Sequence, residues 1–162
     1  MERETRPAEN LKMFELVFPS DLNAHGTMFG GRVVALMDKC AGLCVGRWSR
    51  RTSVTASIDA IQFGIPIRQG QMVEIEARVA YVGNTSCVVR VEVHAQELER
   101  ADRFFCCEGY FTMVCLDANG TPATLPLIPV TTEAERQEWE TARAIKERLL
   151  ARRRSVRPDG KV

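Results

Sequence analysis

The sequence predicts an α+β fold in which an antiparallel β-sheet packs against one long helix. Three observations predict this class. One long apolar segment with the helical period occupies the first third of the chain. Four segments of β-type composition follow it, and a second, thinner helical pattern comes after them. A helix followed by several neighbouring strands is typical of α+β proteins with an antiparallel sheet.

The first predicted elements are a short strand and the long helix. Residues 11–18, LKMFELVF, form the strand, which Pro19 ends, and a loop covers residues 20–26. The helix is predicted from about Met28 to Trp48. Its apolar stripe consists of Phe29, Val33, Met37, Cys40, Cys44 and Trp48, widened by Val34, Ala41 and Val45. A helix that is apolar nearly all round is expected to be wrapped by the sheet.

The remaining strands follow the helix directly. They are predicted at residues 53–63, 71–82, 85–96 and 103–116. The middle two alternate clearly between apolar and polar residues. Their apolar faces consist of Val73, Ile75, Ala77 and Val79 in the first and of Val89, Val91 and Val93 in the second. Between them, Gly83-Asn84 is a typical hairpin turn.

Beyond the strands lie a polar, proline-rich segment and the second helical pattern. Thr132 and Glu135 form the Thr-x-x-Glu capping box that marks a helix start. The thin apolar stripe after it consists of Trp139, Ala142, Ile145 and Leu149. The expected organisation is a flexible N-terminus at 1–9, the sheet-and-helix domain at 10–129, a C-terminal helix at 130–154 and a disordered tail at 155–162.

The composition excludes several classes of protein. A chain of 162 residues with 45% hydrophobic and 27% charged residues is expected to form one soluble domain with a real core. Its net charge of +1 gives no general attraction to nucleic acid or membranes. No apolar run approaches the ~20 residues of a membrane span, and the charged start, MERETRPAENLK, lacks the apolar core of a signal peptide. We therefore expect a cytoplasmic protein with no nucleic-acid partner and no membrane span.

The six cysteines are expected to serve as small buried hydrophobes. They stand at 40, 44, 87, 106, 107 and 115, without a Cys-x-x-Cys motif, and the chain has only two histidines. Free cysteine is among the most buried residue types. We therefore expect no metal site and no thiol nucleophile.

Asp38 is the unusual residue of the long helix, because a carboxylate in an apolar segment costs free energy unless something uses it. Its neighbours one helical turn away are Val34, Ala35, Ala41 and Gly42. None of them can form a salt bridge, which leaves Lys39 and distant residues as possible partners. Their mostly small side chains leave room for a ligand or a second chain. This pattern alone leaves two readings open, a functional carboxylate and a residue that faces solvent or is paired structurally.

The start of the helix offers a second candidate feature. Gly30 and Gly31 have no side chains, so a substrate can approach their backbone closely. Amides in the first helical turn lack intrahelical acceptors and can stabilise developing negative charge. The alternative reading is that the two glycines only allow the helix to pack tightly against the sheet. Asn23, just before the helix, carries an amide that can hold a water or a carbonyl, or serve as an ordinary turn residue.

The segment PSDLNAHGTMFGGRVVALMD resembles the motif of the hotdog-fold acyl-CoA thioesterases of the acyl-CoA hydrolase family. The resemblance continues through TASIDAIQFGIPIRQGQMVEIEARVAYVGNTS and DANGTPATLP, and covers about residues 10–127 in one register. It implies a hotdog fold and hydrolysis of acyl-CoA to a free carboxylic acid and coenzyme A. No cofactor is implied, since coenzyme A belongs to the substrate and product. The implied assembly is a homodimer at minimum, with a hexamer built as a trimer of dimers.

The resemblance also implies active sites at the subunit interface. The catalytic carboxylate, Asp38, comes from one chain and the asparagine, Asn23, from the other. The amides of Gly30 and Gly31 correspond to the helix start that polarises the thioester carbonyl. Some relatives carry a histidine directly before the glycine pair, where this chain has Phe29. We therefore assign no catalytic role to the histidine of this segment.

The turn VGNTS matches the segment that lies near the coenzyme A arm in this family. A plain hairpin turn is the alternative reading. Arg50 and Arg51 are further candidate contacts to the coenzyme A phosphates, and charge alone does not choose among the arginines. The predicted substrate-binding residues are Gly83, Asn84, Thr85, Ser86 and Arg68.

The sequence leaves the mechanism and two rival functions open. Asp38 would either deprotonate a water or attack the carbonyl carbon to form an anhydride. A hotdog dehydratase would need a histidine at the site, and neither histidine stands where Asp38 does. A non-catalytic acyl-CoA-sensing module would keep the fold and could dispense with the carboxylate.

Overall fold

A computed structural model describes residues 3–156 as a five-stranded antiparallel sheet with one helix on each face. The predicted α+β class is confirmed. In chain order the elements are β1 (Leu11–Leu16), a 3₁₀ turn (Pro19–Asp21), α1 (Gly30–Ser49), β2 (Thr52–Phe63), β3 (Gln71–Val82), β4 (Ser86–Glu97), β5 (Arg103–Leu116) and α2 (Glu133–Val156).

The strands pair in the order β1-β3-β4-β5-β2, and every neighbouring pair is antiparallel. The predicted hairpin joins β3 to β4, where the Gly83 amide donates to the Ser86 carbonyl at 2.8 Å. β1 and β2 therefore form the two edges of the sheet. The strand that follows α1, β2, keeps one side of its backbone unpaired within the chain.

The main core lies between α1 and the inner face of the sheet. α1 contacts all five strands. Its buried residues are Val33, Leu36, Met37, Cys40, Ala41, Cys44, Val45, Trp48 and Ser49. The predicted wrapping of this helix is incomplete, because the sheet curls around one side of it only. An exposed stripe runs along the other side through Gly31, Ala35, Lys39, Leu43 and Arg47.

α2 covers part of the opposite face of the sheet. Ala142 and Ile145 are buried there against Ala80, Val88 and Tyr110. The predicted capping box is confirmed, since the Glu135 amide donates to Thr132 Oγ1 at 3.2 Å and the Thr132 amide to Glu135 Oε2 at 3.1 Å. The helix begins at Glu133 and continues to Val156, two residues beyond the predicted end.

The N-terminal segment, predicted as a flexible terminus at 1–9, makes backbone contacts with the segment that follows β5. Thr5 pairs with Leu127, and the Arg6 amide donates to the Leu127 carbonyl at 2.8 Å. Residues 155–156 of the predicted tail lie in α2, and residues 157–162 lie outside the described residues. Within residues 3–156, neither helix has the length and apolar character that a membrane span requires.

Candidate active site

Asp38 lies half-buried in the middle of α1 and has a partner on the neighbouring strand. Thr55 of β2 donates its hydroxyl proton to Asp38 Oδ1 at 2.5 Å. Thr55 is exposed at the sheet edge and is opposite Met113 of β5. The strand is bulged just after Thr55, and such bulges redirect side chains. The carboxylate therefore has a fixed hydroxyl partner at the open edge of the sheet.

The sequence left a distant partner of Asp38 open and did not identify Thr55, because only residues one helical turn away can be placed beside Asp38 from the chain alone. Thr55 lies in β2, 17 residues beyond Asp38 in the chain. Only the fold brings the two side chains together. One signal was available, since Thr55 opens the TASIDAIQF segment that carries part of the family resemblance.

The start of α1 presents free backbone amides. The Phe29 carbonyl accepts the first helical hydrogen bond, from the Arg32 amide at 2.9 Å. The amides of Gly30 and Gly31 precede this bond and therefore have no acceptor within the helix. A side chain at Gly30 would come within 3.4 Å of the Phe63 ring. Glycine at this position leaves the first turn open to a ligand.

Asn23 sits in the tight turn that leads to this helix start. Its Oδ1 accepts the amides of His25 at 2.9 Å and Thr27 at 3.3 Å, while its Nδ2 donates to Thr27 Oγ1 at 2.9 Å. These bonds hold the side-chain amide in one orientation. Within a single chain Asn23 acts as a turn residue, and one Nδ2 hydrogen remains for a further acceptor.

A cavity of about 250 Å³ opens beside Asn23 and Gly30. Its wall is mostly apolar, and the larger side chains that line it are Met28, Val33, Phe63, Ile65, Ile67, Cys106 and Cys107. An apolar cavity next to free backbone amides suits a ligand with a carbonyl group attached to a short apolar chain.

Asp38 does not line this cavity. It lies eight residues beyond Gly30, which corresponds to about 12 Å along the helix axis. One chain therefore holds two half-sites, the amides with Asn23 at the start of α1 and the Asp38–Thr55 pair in its middle. The predicted catalytic roles of these residues remain predictions.

The predicted substrate-binding residues are also far apart within one chain. The Thr85 carbonyl accepts the Cys115 amide at 3.0 Å, and the Asn84 carbonyl accepts the Leu125 amide at 2.9 Å, which fixes the β3–β4 turn. Arg68 is exposed just before β3, whereas the turn follows β3. A 12-residue strand spans roughly 36 Å from one to the other.

All six cysteines are free and buried, as the sequence predicts. Burial raises the pKa of Cys40 to about 12 and the pKa values of Cys44, Cys106 and Cys107 to about 11. Such thiols stay protonated at neutral pH and are poor nucleophiles. Within residues 3–156, no cluster of three or more histidine, cysteine or acidic side chains could hold a metal ion.

Comparison with known proteins identifies the family. The model of the thioesterase superfamily matches residues 25–101. The chain is 37% identical over 141 residues to YkhA of Bacillus subtilis, which is named an uncharacterized acyl-CoA thioester hydrolase. The match covers 86% of this chain and 82% of that protein. It is 32% identical over 143 residues to the human cytosolic acyl coenzyme A thioester hydrolase, which is longer and is covered to 38%.

Similar solved structures belong to the same family as the sequence relatives. An apo-hexameric acyl-CoA thioesterase superposes with a TM-score of 0.84 at 35% identity, over 98% of this chain and 99% of that chain. The acyl-CoA hydrolase of Staphylococcus aureus, solved with butyryl coenzyme A, superposes with a TM-score of 0.84 at 31% identity, over 92% and 91% of the two chains. Alanine variants of that hydrolase at an asparagine, a threonine and an aspartate have also been solved. The predicted hotdog fold is confirmed, and the chain belongs to the hotdog-fold acyl-CoA thioesterase family.

Proposed function

We propose that this thioester hydrolase cleaves acyl-CoA to a free carboxylic acid and coenzyme A at sites shared between two subunits. The observation that carries the proposal is the Asp38–Thr55 pair at the open edge of β2. The pair holds a carboxylate in one orientation at the sheet edge where we expect a second chain to bring the other half-site. The hydrolase relatives support the same reaction.

In the general-base route, Asp38 takes a proton from a water molecule while the water oxygen bonds to the thioester carbonyl carbon. Negative charge develops on the carbonyl oxygen and is stabilised by the Gly30 and Gly31 amides. The carbon–sulfur bond then breaks, and the departing thiolate receives the proton from Asp38. Asn23 of the second chain orients the water or the carbonyl.

In the nucleophilic route, an Asp38 oxygen bonds to the same carbon and displaces the thiolate. The resulting mixed anhydride is then hydrolysed by water. Thr55 has the same part in both routes, because its hydroxyl holds Asp38 Oδ1 and leaves Oδ2 for the reaction.

The Staphylococcus aureus variants support this choice of residues. The asparagine and aspartate replaced in that hydrolase are 15 residues apart, and the aspartate and threonine are 17 residues apart, as are Asn23, Asp38 and Thr55 here. Three residue types at two identical spacings are unlikely to coincide by chance in a related chain. The agreement favours one functional set that includes Thr55.

A homodimer is the smallest assembly that can complete such a site. The unpaired edge of β2 exposes Val54 and Ile58, and the exposed stripe of α1 includes Leu43. Apolar side chains along an open strand edge favour pairing with another chain. Two neighbours of known structure are named as hexameric thioesterases, which supports a trimer of dimers for this chain.

The deciding experiment measures coenzyme A release from a panel of acyl-CoAs of increasing chain length. We expect turnover of at least one of them, with no added metal or cofactor. Tight acyl-CoA binding without turnover, measured by calorimetry on the same preparation, would instead favour the sensing module.

A further inference from the structure

Two consecutive cysteines of β5, Cys106 and Cys107, line the cavity beside Gly30. In a regular strand the side chains of neighbouring residues point to opposite faces of the sheet. Here both belong to the core on the α1 face, where they are 2% and 1% exposed. Their thiols therefore form part of the cavity wall.

A β-bulge in β5 brings both thiols to the same face. Val93 of β4 is opposite Cys107. The next residue of β4, His94, is opposite Phe105, so β5 has one extra residue at this point, Cys106. An extra residue of this kind re-aims the side chains of a strand, and it often does so beside functional sites.

The two thiols form the floor of the cavity. The Cys107 sulfur lies 3.8 Å from the sulfur of Met37, which is fully buried in α1. The core behind the thiols is therefore filled, and the cavity ends at them. On another side, the wall is fixed because the Met28 amide donates to the Ile67 carbonyl at 2.8 Å.

The distance from Gly30 to this floor limits the length of a bound chain. Met37 is seven residues beyond Gly30, which corresponds to at most about 10 Å along the helix axis. An extended chain advances about 1.2 Å per bond, so about eight bonds fit within this distance. The volume agrees, since a cavity of about 150 Å³ holds the six carbons of benzene and this one has about 250 Å³.

The lining also restricts the charge of a bound chain. Within the described part of the protein, no charged side chain lines the cavity. Apart from the thiols, its polar side chains are those of Asn23 and Thr27, which are hydrogen-bonded to each other at 2.9 Å. A carboxylate at the far end of an acyl chain would be buried there without a partner, which is costly.

We infer that Cys106 and Cys107 set the acyl specificity of this hydrolase and limit it to uncharged acyl groups of up to about eight carbons. The inference rests on the proposed function, which places the thioester carbonyl at the Gly30 and Gly31 amides. It deepens that function by naming the substrate class, neutral short- and medium-chain acyl-CoA. An acyl group whose carbonyl lies at these amides extends into the cavity until the cysteine floor stops it.

The first test measures kcat/KM for straight-chain acyl-CoAs from acetyl to hexadecanoyl. For the wild type, kcat/KM should rise to about octanoyl-CoA and should be at least about tenfold lower for dodecanoyl-CoA, because the longer chain meets the filled core. A wild type that cleaves hexadecanoyl-CoA as well as octanoyl-CoA would overturn the inference.

Variants of Cys107 test the floor itself. Cys107→Leu places a larger side chain there and should shorten the longest well-cleaved acyl group by about two carbons. Cys107→Ser keeps the size of the side chain and serves as the matched control, with the length limit of the wild type. A shifted limit in Cys107→Ser, or an unshifted one in folded Cys107→Leu, would overturn the role of side-chain size.

A second variant covers the case in which Cys107→Leu does not fold. Val33→Ile narrows the cavity from α1 by one methyl group and should lower the length limit by about one carbon. Leu98→Ala changes an exposed residue outside the cavity lining and should leave the length profile unchanged. Thermal unfolding identifies the folded variants. An unchanged profile in folded Val33→Ile would overturn the inference.

Hexanoyl-CoA and adipoyl-CoA test the effect of charge, because their acyl groups have the same number of carbons. Adipoyl-CoA ends in a carboxylate, so its kcat/KM should be at least about 100-fold lower. Comparable kcat/KM values for the two substrates would overturn the restriction to uncharged acyl groups.

A binding experiment keeps this inference distinct from the proposed function. S-alkyl-CoA thioethers lack the carbonyl group and are not hydrolysed. In calorimetry, the affinity of the wild type should rise from the ethyl to about the octyl thioether and fall for the dodecyl one, and the maximum should move to a shorter chain in Cys107→Leu. This profile without any acyl-CoA hydrolysis would refute the proposed function and support the cysteine floor. Affinity that does not depend on alkyl length would overturn the inference even if acyl-CoA is hydrolysed.

Discussion

At the residue scale, the hydroxyl of Thr55 is the hydrogen-bond partner of Asp38. The apolar neighbours along the helix suggest an isolated carboxylate, but Thr55 donates to Asp38 Oδ1 from the adjacent strand. In the mechanism that we propose, the hydrogen bond orients one carboxylate oxygen and the other oxygen reacts. The helix therefore tolerates Asp38 at a half-buried position because the neighbouring strand supplies a polar partner.

Replacing Asp38 by asparagine tests its role in catalysis. Asp38→Asn keeps an oxygen that accepts the Thr55 hydroxyl but removes both the base and the nucleophile. Turnover should fall by at least about 10²–10⁴-fold, while the melting temperature should hold or rise. The measurements are coenzyme A release and thermal unfolding. Near-normal turnover would contradict the catalytic assignment, and an unfolded variant would indicate a structural role.

The Thr55 hydroxyl can be removed with almost no change of shape. Thr55→Val should lower kcat by about 10- to 100-fold, because a hydrogen bond to a charged group contributes about 1.5–3 kcal/mol. Thr55→Ser keeps the hydroxyl and serves as the matched control, with kcat close to that of the wild type. Equal losses of kcat in both variants would show that the methyl group, and not the hydroxyl, matters.

At the scale of elements, α2 is attached to the sheet through its first turn. The backbone amide of Thr131 lowers the pKa of the Glu135 carboxyl to about 2, and Arg78 of β3 pairs with the same carboxylate at 2.7 Å. Trp139 adds an edge-on contact with Tyr81, with 5.1 Å between ring centroids. The start of α2 therefore depends on an ionised Glu135.

The attachment of α2 should accordingly depend on pH. The pKa of Glu135 is lowered on folding, so its stabilising contribution is complete above the ordinary value of 4.5 and is lost as the pH falls toward about 2. Hydrogen exchange of the α2 amides should accelerate over this range. In Glu135→Gln, which keeps the capping box, this acceleration should be weaker. Identical pH profiles for both proteins would contradict the assignment.

Removing α2 tests whether the core on the α1 face of the sheet stays folded without the helix on the other face. A chain that ends at Pro129 should stay folded, because the core between α1 and the sheet lies on the other face. Its melting temperature should fall, since Ala80, Val88 and Tyr110 lose the cover of Ala142 and Ile145. Circular dichroism and thermal unfolding measure both effects. Loss of all strand signal would show that α2 belongs to the folding core.

At the scale of the whole molecule, one chain presents two half-sites and an open edge. The start of α1 carries Asn23 and the free amides, and the middle of α1 carries Asp38 about 12 Å away. The shared site that we propose needs a second chain at the unpaired edge of β2. A chain that does not assemble should therefore be inactive.

Mixing two inactive variants tests this shared site. Asp38→Asn and Asn23→Ala chains, unfolded and refolded together, should regain part of the wild-type turnover. In a mixed dimer one site combines the intact Asp38 with the intact Asn23, whereas neither variant alone has such a site. Sedimentation of the wild type should show no active monomer at micromolar concentration. Activity in a monomer, or no recovery in refolded mixed dimers, would contradict the shared site.

The sequence alone determined the local structure of this protein and its family. The bounds of β3 and β5 agree with the predicted ones, and the Thr132–Glu135 cap lies where the motif indicates. Apolar periodicity, turn residues and capping boxes act over a few neighbouring residues, so they can be read directly from the chain.

Tertiary structure alone decided which distant residues meet. It brought Thr55 to Asp38, tied Arg3 to Gly83, and separated Arg68 from the β3–β4 turn by the length of a strand. It also left one stripe of α1 uncovered, although the apolar pattern predicted a helix wrapped by the sheet. These features depend on strand order and on the curl of the sheet, which arise from contacts between segments far apart in the chain and leave no local pattern in the sequence.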